Sequence, residues 1–273
     1  MTNGQAEVRY PIRVLQLTDC HLFKDDSGRL LGVDTFASLR DVIDFAMEMK
    51  GPPDVVLLTG DLSQDESPES YERLVDLVGR IPAPKYYLPG NHDKPALMAE
   101  VFAGRQGAIQ SERTLVRGRW QLLLLNSTVA DQVGGHLDSD ELARLDQHLA
   151  DNLDLFAMVC MHHHPLSVNS QWIDTIGLDN SAELFEILDR HANVRALLWG
   201  HIHQQYDGDR KGLILMASPS TCVQFKPNVA VFGVDAQAPG FRWIELDDDG
   251  AVRSEVHRLA KMPAGLDLAS IGY

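Results

Sequence analysis

The stretch LPGNHDK, residues Leu88 to Lys94, places three polar side chains in a Pro-Gly turn directly after an apolar run. One interpretation is turn chemistry, because Asn91 and Asp93 are able to hydrogen-bond back to the backbone that the Pro-Gly pair bends. The other interpretation is that the turn presents Asn91, His92 and Asp93 to a metal-bound substrate. This second interpretation requires matching polar groups at the ends of other strands, so it also constrains the fold.

Short apolar runs recur along the chain, and each is typical of a buried strand. Helical patterns lie between several of them, the clearest over Thr35–Lys50, where either Asp34 or Thr35 is placed to be the N-cap. The predicted strands cover residues 12–18, 54–60, 86–90, 121–127, 157–163, 196–201, 213–220, 229–234, 241–246 and 252–259. The other predicted helices cover about residues 69–79, 94–102, 139–151 and 181–191.

The order of these elements indicates the fold class. Strand and helix alternate until about residue 200, which predicts an α/β core. Strands then follow one another with only turns between them, as in an antiparallel segment. The sequence contains no repeat, low-complexity stretch or linker, and we expect a single domain over residues 1–273.

Composition excludes several classes of protein. A chain of 273 residues with 44% hydrophobic content is long enough to bury a normal core. Its formal net charge of -15 argues against nucleic acid as a partner, since binding to the phosphate backbone depends on clustered Lys and Arg. No apolar run is long enough to span a bilayer, and the opening MTNGQAEVRYPIRV has no hydrophobic signal core. We therefore expect a cytoplasmic protein without membrane contact.

Polar clusters follow several of the predicted strands. The first strand runs into TDCHL, where one residue separates Asp19 from His21, so both side chains share one face of an extended segment. In open α/β sheets the binding crevice lies beyond the carboxyl ends of the strands, so clusters that are dispersed in sequence are expected to converge in space. The other clusters are Asp61 after Gly60, the Asn91–Asp93 turn, His162 to His164, and His201 with His203.

Taken singly, each cluster has an ordinary structural interpretation. An Asp-x-His pair is a weak metal signal, and an isolated Gly-His-x-His is more often a turn. The joint order Asp-x-His, Gly-Asp, Gly-Asn-His, His and Gly-His-x-His, each behind its own strand, is hard to obtain by chance. It indicates a metal centre without thiolate ligands, because Cys20, Cys160 and Cys222 form no CxxC pair.

The order of motifs DCH, GD, GNHD, HHHP and GHIH resembles that of the calcineurin-like metallophosphoesterases. The further segments LLGVDT, TGDLSQD, GHIHQ, PSTCVQFKP and the final GY are similar to the class III cyclic-nucleotide phosphodiesterase branch of that family. The resemblance implies a β-sandwich flanked by helices in four layers, αββα, with antiparallel strands at the C-terminal end.

The resemblance also implies a set of ligands for two metal ions. One ion is expected on Asp19, His21, Asp61 and His203, and the other on Asp61, Asn91, His162 and His201, with Asp61 as the bridge. Of the three consecutive histidines we choose His162, which lies nearest the strand end, with His163 as the alternative. Carboxylate and imidazole ligands suit iron, manganese, zinc or cobalt.

Roles in catalysis are expected on the same grounds. His92 is placed to polarise a phosphate oxygen or to protonate the leaving alkoxide, and Asp93 to orient the ring of His92. Substrate contacts are expected from His21, Asp61, Asn91, His92 and His203.

The resemblance also implies the reaction, which is hydrolysis of 3',5'-cyclic AMP to 5'-AMP by in-line attack of a metal-bridging hydroxide. An enzymatic alternative acts on another small diester, such as a glycerophosphodiester or a 2',3'-cyclic nucleotide. An alternative from another class is a binding scaffold that keeps the fold without catalysis. Trp172 and Phe225 are candidates to stack on the base, although buried aromatic residues more often belong to the core. Thr221, Cys222 and Lys226 are further candidate contacts. By the resemblance, Asn126 stands where several members of the family carry Asp.

Overall fold

The computed structural model describes residues 10–105 and 109–272. The strands are β1 Ile12–Leu17, β2 Val55–Thr59, β3 Lys85–Leu88, β4 Thr114–Arg117, β5 Trp120–Leu124, β6 Phe156–Cys160, β7 Val194–Trp199, β8 Tyr206–Arg210, β9 Leu213–Ala217, β10 Gln224–Phe225, β11 Val234–Asp235, β12 Gly240–Leu246 and β13 Val252–Arg258. The helices are α1 Thr35–Lys50, α2 Pro68–Val78, α3 Pro95–Gly104, α4 Ser139–Asp151, α5 Gln171–Asp174 and α6 Ser181–Arg190.

Two large sheets contain most of these strands. The first has the order β13-β12-β1-β2-β3, in which β1, β2 and β3 are parallel while β12 and β13 are antiparallel. The second has the order β4-β5-β6-β7-β9-β8, with four parallel strands between antiparallel edge strands. The predicted antiparallel strands near the C-terminal end are therefore confirmed.

Three hydrophobic clusters show how the layers stack. One joins the inward faces of both sheets, for example Leu57 of β2 and Leu198 of β7. A second packs the outer face of the first sheet against α1, α2 and α3. A third packs the outer face of the second sheet against α4 and α6. The layers are helix, sheet, sheet and helix, which confirms the predicted β-sandwich flanked by helices.

The start of α1 is tied directly to the polar end of β1. Asp34 is the N-cap, and its carboxylate accepts a hydrogen bond of 2.9 Å from the Ala37 N–H. Thr35, the alternative cap, instead donates its hydroxyl to the His21 carbonyl at 2.9 Å. The helix therefore stabilises the segment that carries Asp19 and His21.

The sequence patterns miss some elements and misplace one. They do not predict β4, β8, β10 or α5. The β8 sequence YDGDR lacks the apolar run that signals a strand, because β8 is a half-exposed edge strand. The strand predicted over residues 229–234 is wrong, since only Val234–Asp235 pairs and Val231 is 74% exposed. Phe232 packs against Trp172, so part of this apolar run covers an aromatic group instead of extending a sheet.

Some expectations fall outside the described residues. Tyr273, the end of the Gly-Tyr motif, and residues 1–9, where no signal core is expected, belong to this group. Within the described ranges, no helix combines the length and the apolar character needed to cross a membrane. The single-domain assignment stays a prediction.

Leu198 provides a test of the inter-sheet layer, because its side chain has no exposed surface. We expect Leu198→Ala to lower the free energy of unfolding by about 2–5 kcal/mol, since truncation removes apolar contacts and leaves a cavity. Val116→Ala is the control at a position that is 55% exposed, with an expected change below about 0.5 kcal/mol. Urea unfolding measures both variants, and equal stabilities would contradict this placement of Leu198.

Candidate metal centre

The predicted polar clusters all follow parallel strands. They lie beyond the carboxyl ends of β1, β2 and β3 in the first sheet and of β6 and β7 in the second. The site is therefore assembled where the carboxyl ends of the parallel strands of both sheets come together. In chain order, its side chains are Asp19, His21, Asp61, Asn91, His162, His201 and His203.

Six of these seven side chains form two groups that share one member. Within each group, the candidate ligand atoms lie within 4.8 Å of one another. The first group contains Asp19, His21, Asp61 and His203, and the second contains Asp61, His162 and His201. Asp61 belongs to both, which is the arrangement expected of a bridging carboxylate.

The short distances converge on Asp61 and on a pair of imidazole nitrogens. Asp61 Oδ2 lies 3.3 Å from His162 Nε2 and 3.8 Å from His21 Nε2. His203 Nε2 lies 3.1 Å from His21 Nε2 and 3.4 Å from Asp19 Oδ1. These contacts bring lone-pair-bearing atoms together, which is stable only if protons or cations lie between them.

Asn91 Oδ1 shows that the residues fit a cation. Among the described residues it is one of the buried side-chain oxygens without a hydrogen-bond partner. Leaving a buried acceptor unpaired costs about 1–3 kcal/mol, so such an atom calls for a ligand. Together with the carboxylate oxygens and the imidazole nitrogens, this oxygen completes a donor set typical of first-row transition metals.

The orientation of each histidine is set by the ring nitrogen that faces away from the centre. That nitrogen is hydrogen-bonded to an oxygen, which leaves the other nitrogen to point inward. The outward pairs are His21 Nδ1 with Gln64 Oε1 at 2.6 Å, His162 Nδ1 with Thr59 O at 2.9 Å, His203 Nδ1 with Val223 O at 2.8 Å, and His201 Nε2 with Ile176 O at 3.1 Å.

The geometry favours His162 over His163, which the sequence leaves as an alternative. Both ring nitrogens of His163 are already engaged, Nδ1 with Ser127 Oγ at 2.8 Å and Nε2 with Val133 O at 3.1 Å. The carbonyl of Val133 accepts the Nε2 proton, so Nδ1 accepts from the Ser127 hydroxyl. His163 therefore has no nitrogen left for a cation.

The backbone is strained at five of the candidate ligands. Positive φ angles, between 47° and 67°, occur at Asp19, His21, Asp61, His201 and His203. Such a conformation is uncommon for residues other than glycine and costs on the order of 1–3 kcal/mol at each position. Since the surrounding structure must hold these residues in place, the site is preorganised.

Glycines precede three of the clusters because segments of the chain approach one another closely at those positions. A Cβ atom on Gly60 would lie 2.3 Å from His162 Nδ1, and Gly60 has a φ of +90°. A Cβ on Gly90 would lie 2.2 Å from Asp61 Oδ1, and one on Gly200 would lie 2.9 Å from Asp19 Oδ2. A larger residue at any of these positions would displace a candidate ligand.

Burial and charge set the protonation of the site. Burial lowers the pKa of His21 to about 3 and the pKa of His201 well below its ordinary value, so both rings are neutral. Burial raises the pKa of Asp61, but the imidazoles of His162 and His92 outweigh it and lower that pKa well below the usual range. Burial also lowers the pKa of His162, yet the nearby Asp61 carboxylate raises it to about 9. A cation bound here would replace the His162 proton.

Asp93 forms the turn contact that the sequence allows and also contacts the loop after β2. Its carboxylate accepts backbone hydrogen bonds from Leu62, Ser63 and Gly90 at 2.9 to 3.2 Å, and another from the Tyr71 hydroxyl at 3.2 Å. The bond from Gly90 closes the turn, and the bonds from Leu62 and Ser63 join the loops after β2 and β3. The role of Asp93 in orienting the His92 ring stays a prediction.

His92 approaches the centre through both its backbone and its ring. The His92 N–H donates to Asp61 Oδ1 at 2.9 Å. Its half-buried ring makes a T-shaped contact with the ring of His21, with 5.1 Å between ring centroids. His92 therefore lies next to Asp61 and His21 while keeping part of its surface accessible.

Phe225, predicted as a possible base-stacking residue, is only 1% exposed. Its ring stacks on the His203 imidazole at 3.9 Å between centroids, so it supports a candidate ligand and has no free face for a base. Trp172 is half-buried and makes a T-shaped contact with Phe225 at 5.2 Å between ring centroids. Its contact with a base stays a prediction. Lys226 is exposed beside them.

Three further candidates are buried or hold a loop, and the contact of Thr221 and Cys222 with substrate stays a prediction. Cys222 is buried, and its thiol donates to the Asp19 carbonyl at 3.3 Å. Thr221 is fully buried next to it. Asn126 Oδ1 accepts from the backbone N–H of Thr128 at 3.0 Å, so this side chain shapes a loop.

Gln64 contacts the candidate ligand His21, and the sequence patterns do not predict this contact. Its signal was available, because Gln64 lies in the TGDLSQD segment three residues after Asp61. Its hydrogen bond to His21 depends on the folding of that loop, which residue spacing alone does not show.

The fold and the site define a class of protein. The family model for calcineurin-like phosphoesterases matches residues 12–205 of this chain. The fold is similar to that of a dimetal phosphatase from Danio rerio, with a TM-score of 0.64 at 14% identity over 92% of this chain and 99% of that chain. The chain belongs to the calcineurin-like phosphoesterase family.

Within this family, two relatives of nearly equal length are similar to this chain over almost all of it. The 3',5'-cyclic adenosine monophosphate phosphodiesterase CpdA of Haemophilus influenzae is 41% identical over 262 residues, which cover 96% of this chain and 95% of that protein. CpdA of Escherichia coli strain K12 is 40% identical over 271 residues, which cover 99% and 96%. These similarities confirm the predicted resemblance to the cyclic-nucleotide phosphodiesterase branch.

Gly90→Ala tests the close approach that holds Asp61. We expect this variant to lose most of its bound metal, because the added Cβ would overlap Asp61 Oδ1 and force the carboxylate out of both groups. Gly104→Ala is the control, since a Cβ there meets no atom within 4 Å. Elemental analysis of the purified proteins measures the metal content. Full metal occupancy in Gly90→Ala would show that metal binding does not depend on the close contact between Gly90 and Asp61.

Proposed function

We propose that this protein is a metal-dependent phosphodiesterase that hydrolyses 3',5'-cyclic AMP to 5'-AMP. The observation that carries the proposal is the shared position of Asp61 between two groups of buried ligands. The substrate class is supported by two relatives, each about 40% identical over nearly the whole chain and named for this reaction.

The proposed ligands of one ion are Asp19, His21, Asp61 and His203. Those of the other are Asp61, Asn91, His162 and His201. Asn91 enters the second set on the grounds of its buried, unpaired Oδ1 atom. Iron, manganese, zinc and cobalt all suit these donors, and the pair that the protein holds in the cell is a matter for metal analysis.

A pair of bound cations supplies an acidified water and neutralises charge on the attacking and leaving oxygens. The chain contributes a rigid frame, in which outward hydrogen bonds fix the histidine rings. His92 is proposed to donate a hydrogen bond to the leaving ribose oxygen. Its backbone N–H is fixed on Asp61 at 2.9 Å, so its ring is positioned relative to the phosphate site.

The net charge of -15 does not oppose binding of an anionic substrate. Bound divalent ions are the largest local charges in such a site and reverse its potential. A small-molecule substrate also agrees with the expected absence of nucleic acid as a partner. The cytoplasmic location stays a prediction.

Two alternatives differ from this proposal in ways that can be measured. In the first alternative the protein hydrolyses another small diester by the same metal chemistry, and only the residues that hold the organic part of the substrate differ in their selectivity. A non-catalytic scaffold is disfavoured, because every predicted ligand and His92 are present in the sequence.

Paired variants separate metal binding from proton transfer. We expect Asp61→Ala to lose both ions, because it removes the carboxylate that both groups share. We expect His92→Ala to retain its metal while turnover of cyclic AMP falls by about 100-fold or more, the usual loss for a general acid. Metal analysis and steady-state kinetics give both quantities. Equal metal loss in the two variants would contradict the division of roles.

Relative rates on different diesters identify the substrate. We expect kcat/KM for 3',5'-cyclic AMP to exceed the values for 2',3'-cyclic AMP and glycerophosphocholine by about tenfold or more. Bis(p-nitrophenyl) phosphate serves as a general diester control. A higher value for either competing diester would favour that substrate class. Failure of metal-loaded protein on all of them would favour the scaffold.

A further inference from the structure

A cleft of about 370 Å³ opens beside Asn91. Its lining includes Glu66, Lys94 and Pro95, and residues 128–133 form the part of the lining that we call the loop wall. We call it the Asn91 cleft. Because Asn91 is also a candidate metal ligand, the cleft begins next to the point where a phosphate would be held.

The loop wall of the Asn91 cleft is held at both ends by one side chain. His163 accepts from the Ser127 hydroxyl at 2.8 Å through Nδ1 and donates to the Val133 carbonyl at 3.1 Å through Nε2. Asn126 adds a turn at the start of the loop by accepting from the Thr128 N–H at 3.0 Å. The wall is thereby preorganised, which lowers the entropy that a ligand must lose on binding.

The chemistry of the cleft suits a neutral organic group. Pro95 and Val133 provide apolar surface, and Val133 is 52% exposed although it is a large hydrophobic residue. Lys94 is paired with Glu66, and Asp131 adds a further negative charge, so the walls carry no excess cation for a second phosphate. The volume lies at the lower end of the range of about 300–1,000 Å³ that is typical of small-molecule sites.

A second cleft of about 360 Å³ is less suited to reach the metal centre. It borders His203 and Phe225, and we call it the Phe225 cleft. The His203 ring is covered there, since its face stacks on Phe225 at 3.9 Å and its Nδ1 atom is bonded to Val223 O at 2.8 Å. A ligand in the Phe225 cleft would meet this stacked pair before it met an ion.

We propose that the Asn91 cleft receives the nucleoside of the cyclic nucleotide while the phosphate is held at the metal centre. This proposal rests on the proposed function and adds the residues that hold the organic part of the substrate. In this proposal the loop of residues 128–133 distinguishes diesters by their organic group, whereas the metal ligands hold the phosphate that all diesters share.

The test fills each cleft with an indole ring and compares a large substrate with a small one. Ala130 lies exposed in the loop wall of the Asn91 cleft, and Gln237 lies exposed in the lining of the Phe225 cleft. Kinetics of Ala130→Trp and Gln237→Trp are measured on 3',5'-cyclic AMP and on methyl p-nitrophenyl phosphate, which has no nucleoside. We expect Ala130→Trp to raise KM for cyclic AMP about tenfold or more and to leave methyl p-nitrophenyl phosphate unchanged. We expect Gln237→Trp to change neither.

Other outcomes would overturn the proposal in distinguishable ways. If the wild-type protein hydrolyses cyclic AMP and Ala130→Trp does not affect its KM, the cleft assignment fails while the proposed function stands. A selective effect of Gln237→Trp would assign the nucleoside to the Phe225 cleft. If the wild-type protein hydrolyses only methyl p-nitrophenyl phosphate, both proposals fail. Ala130→Leu provides the same comparison with a smaller side chain if Ala130→Trp does not fold.

Discussion

The site depends on one buried carboxylate, Asp61, which both groups of candidate ligands share. A buried charge is tolerated only when positive charge and hydrogen bonds surround it. Imidazoles approach it from both sheets, with His162 at 3.3 Å and His21 at 3.8 Å, and the His92 N–H donates to it at 2.9 Å. Those groups come from strands of different sheets, so the sandwich must align its edges for Asp61 to be stabilised. Fold and chemistry are therefore constrained at the same point.

The surrounding structure offsets the cost of this arrangement. Five candidate ligands have positive φ angles. Glycines are needed where one segment of the backbone passes next to a ligand atom of another segment. The compensation comes from contacts that face away from the centre, such as the bond of His203 to Val223 and the stacking of Phe225 on the same ring. Asp93 contributes in the same way, because its carboxylate binds the loops after two neighbouring strands. Strain at a functional site persists only when such contacts over-determine it.

Sequence patterns predict the layered fold well where an element has one buried face. Thr35–Lys50 is an example, since its apolar spacing and its bounds agree with α1. They fail where exposure breaks the apolar pattern, as in β8, or where apolar residues cover an aromatic cluster, as around Phe232. In the site, the polar clusters were identified from their order along the chain. The bonds from Asp93 to the loop after β2 and the support of His203 by Phe225 were not, because both depend on contacts between segments that lie far apart in sequence.

By itself, the sequence determined which residue types stand at the ends of which strands, and hence the family, the two-ion chemistry that it implies and the layered α/β architecture. The choice of His162 over His163 rested on family resemblance and strand position in the sequence, and the tertiary structure adds a physical ground that favours it, namely which ring nitrogens are already engaged. Only the tertiary structure brought the loop of residues 128–133 and Lys94 to the lining of one cleft. The physical reason is that local patterns fix the conformation and burial of a segment, whereas the direction of a side chain depends on the distant groups that pack against it.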